Sequence, residues 1–221
     1  MPHHSNWPPL RGVIFDMDGV LVDSEPFIKV AGVRMFAEKG YSVREDDFQP
    51  FVGTGEDHLL GGVADKYGIP FDARLDKART YAIYLEMIKG RLQPLPGVFS
   101  FISECRLRHL KVAVASSADA VKVEGNLHEI GLPPNTFDAI VNGSQVSCKK
   151  PAPDIFLTAA EQLALPPAAC LVVEDAVAGI AAAKAAGARC LALTTSFPAD
   201  RLRTADWIVA DLAHAPPQIL R

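Results

Sequence analysis

Short apolar runs that end abruptly in polar residues constrain the fold of this chain more than any other feature. The runs lie at residues 14–15, 112–115 and 171–173. The polar residues that follow them are Asp16, Ser116 and Glu174. Helical patterns separate these runs, and strands that alternate with helices predict a parallel sheet with right-handed crossovers. We therefore expect an α/β Rossmann-like doubly wound sheet with these polar groups at one edge, where such proteins bind ligands.

A helical block interrupts this alternation after the first strand. Between Ser24 and about Gly90 we expect helices at 25–39, 43–48, 56–67 and 73–88 and no strand. The block is too long for a connecting loop. We therefore predict an inserted α-helical cap domain at 26–93, joined by two hinge linkers to a core formed by 11–25 and 94–221. In the core, further strands are expected at 139–141, 189–193 and 207–209, and helices at 119–130, 153–163 and 177–186.

Two carboxylates, Asp16 and Asp18, follow the first strand, and Gly19 then lets the backbone turn. Because the chain leaves the strand here, the two side chains can point differently, one toward nucleophilic attack and one toward proton transfer. Carboxylates this close resist ionisation unless a cation lies between them. Hard oxygen ligands favour Mg²⁺. An aspartate-rich turn that caps a helix is the structural alternative.

Four motifs in order extend this interpretation over nearly the whole chain. They are Asp16-Met17-Asp18-Gly19-Val20, Ser116-Ser117, Lys150-Pro151-Ala152-Pro153-Asp154, and Val172-Val173-Glu174-Asp175 followed by Gly179. Together they resemble the four signatures of the haloacid dehalogenase superfamily. The nearest resemblance is to its β-phosphoglucomutase and phosphoglycolate phosphatase branch, whose members carry a helical cap. Residues 51–64 also resemble the superfamily domain of a chloroplast protein of plants.

The resemblance implies a catalytic role for each motif. Asp16 would attack a phosphoryl group and form an aspartyl-phosphate, and Asp18 would act as general acid and base. Ser116, with the backbone N–H of Ser117 at a helix start, would bind phosphoryl oxygens. Lys150 would offset the negative charge. For Ser116 alone, a plain helix N-cap is about as good an interpretation.

The same resemblance implies a Mg²⁺ site. Its ligands would be Asp16, the backbone carbonyl of Asp18, Glu174 (directly or through water) and Asp175. Glu174-Asp175 could also cap the following helix, and the two roles can coexist.

The cap loop is expected to select the substrate, because the core residues serve any phosphomonoester. Its candidate residues are Gly53, Thr54, Gly55 and Glu56, with His58 nearby. Phosphoglucomutases of this branch present an arginine here to hold a distal phosphate, whereas a carboxylate at Glu56 would repel one. Arg79 or Lys77 could compensate. We therefore predict a Mg²⁺-dependent phosphatase of a small phosphorylated metabolite, with a phosphosugar mutase as the alternative.

Two other classes fit the motifs less well. A phospho-acceptor receiver domain lacks Asp-x-Asp-Gly at its first strand and a large inserted cap. A dehalogenase does not require the acid/base chemistry of Asp18.

Composition restricts partners and compartment. A net charge of −4 does not favour binding to nucleic acid, whose phosphates attract positively charged surfaces. No apolar run reaches the roughly 20 residues that span a bilayer. The 4 cysteines form no CxxC pair, which indicates neither disulfides nor zinc. The first ten residues have no signal or transit pattern. We expect a cytoplasmic protein, or one in a chloroplast or another reducing organelle compartment, that is a monomer or weak dimer without nucleic-acid or membrane partners.

Overall fold

The core of the molecule is a six-stranded parallel sheet with the strand order β3-β2-β1-β4-β5-β6. The structure is a computed structural model that describes residues 7–53 and 55–220. The strands are β1 (Gly12–Phe15), β2 (Lys111–Ala115), β3 (Ala139–Val141), β4 (Cys170–Glu174), β5 (Arg189–Leu193) and β6 (Trp207–Val209). Every residue of β1, β4 and β5 is buried. Helices on both faces of a parallel sheet explain why these strands are nearly continuous apolar runs.

Seven α-helices lie within the described residues. They are α1 (Glu25–Glu38), α2 (Glu56–Tyr67), α3 (Leu75–Ile88), α4 (Val98–Leu107), α5 (Ala120–Glu129), α6 (Asp154–Gln162) and α7 (Val177–Ala185). The segment expected as a short helix at 43–48 is a 3-10 helix at Glu45–Phe51. Sequence analysis assigned no helix at α4, although its buried residues Val98, Phe101, Ile102 and Cys105 have helical spacing.

The helices α1, α2 and α3 follow β1 as a block that contains no strand among its described residues. Helix α1 packs along α3, and Phe48 fits so closely against Gly32 that a Cβ atom there would lie 2.8 Å from the ring. One apolar cluster runs from this block into the sheet. The division into a cap at 26–93 and a core is our proposal, and we use the word cap for this block.

The two chain crossings between sheet and cap lie side by side. Val22 and Pro94 form an antiparallel bridge, and the backbone N–H of Leu95 donates to the carbonyl of Leu21 over 3.0 Å. Entry and exit of the cap are therefore tied to each other, and the hinge expected at these linkers stays a prediction.

Cys105, Cys170 and Cys190 are buried free thiols, and Cys148 is exposed and free. Across residues 7–53 and 55–220, the helices are too short or too polar to cross a bilayer.

Candidate active site

The predicted polar groups meet at the carboxyl edge of the three central strands. The backbone N–H of Asp16, just beyond β1, donates to the carbonyl of Val173 in β4 over 2.9 Å. That of Ser116, just beyond β2, donates to the carbonyl of Val141 in β3 over 3.0 Å. The sheet ladder therefore extends to these two residues and fixes where their side chains start.

Gly19 turns the chain directly after Asp16 and Asp18. Its φ is +76°, and its N–H donates to the carbonyl of Val22 over 2.7 Å. A Cβ atom at this position would overlap the carboxylate of Asp175. Glycine is needed both for the left-handed backbone and for the approach of the two loops.

Three buried carboxylates form a compact acidic cluster. Asp16, Glu174 and Asp175 each offer an oxygen, and these oxygens lie within 4.8 Å of one another. The ammonium group of Lys150 donates to Asp16 Oδ1 and to Glu174 Oε1, both at 2.6 Å. Three carboxyl groups therefore lie around the buried ammonium group of Lys150 at the sheet edge.

The pKa values of these groups are shifted first by burial and then by the neighbouring charges. Burial raises the pKa of Asp16 from 3.8 to about 7, against the lowering effect of Lys150, and Glu174 and Asp18 raise it further. Burial and the charges of Glu174 and Asp16 likewise raise the pKa of Asp175. Burial alone would lower the pKa of Lys150, but the carboxylates of Asp16 and Glu174 raise it above its ordinary value.

The acidic cluster fits a hard divalent cation. Its oxygen donors lie close enough to share one ion, and a cation would offset both the burial and the mutual repulsion that raise the pKa values of Asp16 and Asp175. The carboxylate of Asp18 is not a member of this cluster. The role predicted for Asp18 at the metal, through its backbone carbonyl, stays a prediction.

Glu174 stabilises the turn before α7 but does not cap the helix, because α7 begins at Val177 with Ala176 as its N-cap and without a side-chain cap hydrogen bond. Its Oε2 accepts the backbone N–H groups of Asp175 and Ala176, both at 2.8 Å, just before α7. A Cβ atom at Gly179 in α7 would overlap this carboxylate. The turn before α7 and the close approach of Gly179 together fix the Glu174 carboxylate. In this position its Oε1 accepts a hydrogen bond from Lys150.

Ser116 lies in a turn that precedes α5. Its hydroxyl accepts the N–H of Ala118 over 3.2 Å while the residue faces the cleft. The expectation that Ser117 lies at the helix start is wrong, because α5 begins at Ala120 with Asp119 as its N-cap. Ser117 lines the cleft from this turn, before the helix axis begins.

A cleft separates this edge from the cap and encloses a cavity of about 60 Å³. The predicted residues that line it are Asp16, Asp18, Gly53, Gly55, Glu56, Ser116, Ser117, Lys150, Glu174 and Asp175. Thr54 lies outside the described residues.

Glu56 faces the cleft, but its charge is not free. It is 6% exposed, and its Oε1 accepts from the ammonium group of Lys122 over 3.0 Å. The predicted repulsion of a second phosphate assumed that the Glu56 carboxylate has no charged partner. Lys122 offsets the negative charge of this carboxylate and so weakens that repulsion.

The other proposed cap residues lie elsewhere. Arg79 pairs with Glu38 on the surface, and Lys77 pairs with Asp57 and Asp119. His58 is exposed and is not among the residues that line the cleft.

Sequence analysis missed several residues of the cleft. They are Glu25 and Lys29 of α1, Lys122 of α5 and Ser196 after β5, besides apolar neighbours. Lys122 shares the buried face of α5 with Val123, Asn126 and Leu127. A lysine in the apolar stripe of a helix is a signal that could have identified it.

Comparison with known proteins shows which family this chain belongs to. The model of the haloacid dehalogenase-like hydrolases matches residues 10–187. The Arabidopsis thaliana protein SUPPRESSOR OF QUENCHING 1, chloroplastic, is 46% identical over 87% of this chain, which spans only 18% of that protein. The crystal structure of CbbY from Rhodobacter sphaeroides in complex with phosphate superposes with a TM-score of 0.85 and 25% identity, covering 93% of this chain and 96% of that one.

Relatives of similar length include a protein named as a phosphatase and a protein named as a mutase. A phosphorylated carbohydrates phosphatase of Thermotoga maritima is 32% identical over 80% of this chain and 82% of its own length. A beta-phosphoglucomutase of Bacillus subtilis is 33% identical over 80% of each. The similarity therefore extends to phosphatases and to a mutase.

Proposed function

The chain belongs to the haloacid dehalogenase-like hydrolases, and from this membership we propose that it is a Mg²⁺-dependent phosphatase that hydrolyses a small phosphorylated metabolite through an aspartyl-phosphate. The observation that carries the proposal is the contact of Lys150 with both Asp16 and Glu174 at 2.6 Å inside a buried acidic cluster. This cluster combines a nucleophile, a fixed positive charge and oxygen ligands, which phosphoryl transfer requires.

In the first step, a carboxylate oxygen of Asp16 attacks phosphorus and the bond from phosphorus to the leaving oxygen breaks. Asp18 donates its proton to that oxygen, so the alcohol leaves uncharged. Ser116 and the backbone of Ser117 donate hydrogen bonds to phosphoryl oxygens, and Lys150 keeps Asp16 oriented and offsets charge.

In the second step, water attacks the phosphorus of the aspartyl-phosphate. Asp18, now ionised, takes a proton from this water, and the bond between phosphorus and Asp16 breaks. Inorganic phosphate leaves, and both aspartates return to their starting states.

Mg²⁺ is proposed at Asp16, Glu174, Asp175 and the backbone carbonyl of Asp18. When bound, it would neutralise phosphoryl charge and hold the phosphate beside the nucleophile. The charge of the cleft supports this assignment. Its lining contains six carboxylates and three lysines among the described residues, so a phosphate dianion needs further positive charge.

A phosphosugar mutase remains the second candidate, favoured by the relative of that name. A mutase must hold a second phosphate at the cap side of the cleft. In the described part of the cleft, each lysine already contacts a carboxylate: Lys29 pairs with Glu25 at 3.3 Å, and Lys122 pairs with Asp18 and Glu56. This pairing supports the phosphatase.

The test is release of inorganic phosphate from a panel of phosphorylated metabolites with Mg²⁺, with chelator, and with Mg²⁺ restored. We expect activity that chelator abolishes and Mg²⁺ restores, and none in Asp16→Asn. Full activity in excess chelator would contradict the metal assignment. Conversion of a sugar monophosphate to its isomer, dependent on a bisphosphate and without phosphate release, would favour the mutase.

A further inference from the structure

A second hollow lies directly beside the cleft, along the start of α7. We call it the side groove, and its volume is about 420 Å³. Its walls come from the cap loop at residues 52–53, from the first two turns of α7, and from Phe197 and Arg201 after β5. A volume of this size is within the range of pockets that bind small molecules.

The side groove is continuous with the cleft. Four residues line both hollows: Val52, Gly53, Ala176 and Phe197. A larger hollow between α3 and α5 shares no described lining residue with the cleft. Continuity with the acidic cluster therefore distinguishes the side groove from the other large hollow of the molecule.

The groove begins one residue away from the acidic cluster at two places. Ala176 follows Asp175, and its backbone N–H donates to Glu174 Oε2 over 2.8 Å. Pro151 follows Lys150 and also lines the groove. A phosphoryl group held at the cluster thus lies close enough for the rest of its molecule to extend into the groove.

The lining of the groove is apolar and partly exposed. Arg201 is the only charged residue among the described residues that form it. Val177 and Ala181 lie four residues apart, on one face of α7, and both are exposed, Val177 by 38%. The water-facing side of a surface helix is usually polar. An apolar strip beside a catalytic cleft is instead typical of a ligand-binding surface.

Phe197 gives the groove a flat wall. Its ring is half-buried, and the guanidinium group of Arg201 lies over it, 5.8 Å from the ring centroid. Aromatic groups pack favourably against such a ring. A polyol would lose its hydration here and find few hydrogen-bond partners in return. The groove therefore favours a flat apolar group over a sugar.

We propose that the side groove binds the leaving group, and that the enzyme selects phosphomonoesters whose leaving group carries an aromatic or other flat apolar part. The inference rests on the proposed phosphatase function and names its substrate class. With the phosphoryl group at Asp16, the leaving group passes between Gly53 and Phe197, and its apolar part lies along Val177 and Ala181. Burial of this part stabilises the transition state relative to the free enzyme and so raises kcat/KM.

The test compares phenyl phosphate with 2-naphthyl phosphate in the full chain with Mg²⁺. Phenol and 2-naphthol are of similar acidity, so a difference in kcat/KM reports the binding of the second ring. We expect kcat/KM to be roughly 5- to 20-fold higher for 2-naphthyl phosphate in the wild-type protein. Ala181→Glu places a carboxylate on the groove wall and should reduce this preference to roughly twofold or less.

Ala185→Glu is the matched control, because Ala185 is exposed on the same helix and lies outside the groove. It adds the same charge and should keep the wild-type preference. If Ala181→Glu does not fold, as thermal unfolding will show, Phe197→Leu replaces it and should also reduce the preference, since the flat wall is lost. Equal kcat/KM for both esters in wild type, or the same preference in the groove variant and in Ala185→Glu, would overturn the inference and leave the phosphatase proposal intact. A wild-type enzyme inactive on all phosphomonoesters would overturn both.

Discussion

Replacing Asp16 by Asn should stabilise the metal-free protein, and increasingly so as the pH rises. Asp16 is 7% exposed and shares its surroundings with Glu174 and Asp175. In the folded state its pKa is about 7, against 3.8 ordinarily. A raised pKa means that the folded state binds this proton more tightly, so the contribution of Asp16 to stability is complete below pH 4 and is lost as the pH rises through 7.

The rise of the Asp16 pKa from 3.8 to about 7 corresponds to a loss of about 4 kcal/mol in the free energy of unfolding once Asp16 is fully ionised. Between pH 5 and pH 8 the folded wild-type protein should lose about 2 to 3 kcal/mol through this group alone. Asn cannot ionise, keeps the size of the side chain and still offers an oxygen to Lys150. The stability advantage of Asp16→Asn over wild type should therefore be about 2 to 3 kcal/mol larger at pH 8 than at pH 5.

The measurement is urea unfolding of both proteins in chelator at these two pH values, followed by the same series with Mg²⁺. Asp200→Asn, at an exposed position, controls for the general effect of losing a carboxylate. Mg²⁺ at 100 times its Kd should raise the stability of wild type by about 2.7 kcal/mol and that of Asp16→Asn by less. A difference between the two proteins that stays flat from pH 5 to pH 8 would refute the reasoning.

Three further outcomes follow from the site. Asp18→Asn should lower kcat/KM for a sugar or other alkyl phosphate by about 10² to 10⁴, and with p-nitrophenyl phosphate it should accumulate phosphorylated protein detectable by mass spectrometry. Gly179→Ala should displace Glu174 and weaken Mg²⁺ binding, measured by calorimetry, by about 10- to 100-fold. Gly61→Ala, where a Cβ atom meets only ordinary contacts at 3.6 Å, should not. Glu56→Arg should shift relative kcat/KM toward acidic or bisphosphorylated substrates by less than the roughly five- to thirty-fold expected of an unpaired carboxylate, because Lys122 already offsets the charge of Glu56. An unchanged order of substrate preference would show that charge at this position does not select the substrate.

Much of the core and its edge follows from sequence because strand ends in a parallel sheet must meet. Asp16, Ser116 and Glu174 each end a buried apolar run, so their convergence needs no knowledge of packing. Helix α4 was not predicted although its apolar spacing is helical, because Pro94, Pro96 and Gly97 directly before it are typical of a loop.

The partners of Lys122 were not predictable in the same way. Glu56 lies 66 residues before it, and Asp18 lies 104 residues before it. Their meeting depends on how the cap sits over the core, which local pattern does not determine. The same dependence explains why Glu56 was expected to carry an unpaired charge.

The position of β1 in the sheet has a consequence for the order of folding during synthesis. This strand is made first but lies between β2 and β4, which begin at Lys111 and Cys170. Helices α1 to α3 contact one another locally and can pack while the ribosome is still making the core. The central strand must wait for partners from the far half of the chain. Asp16, just beyond β1, thus gains its charged neighbours only after Lys150, Glu174 and Asp175 have been made.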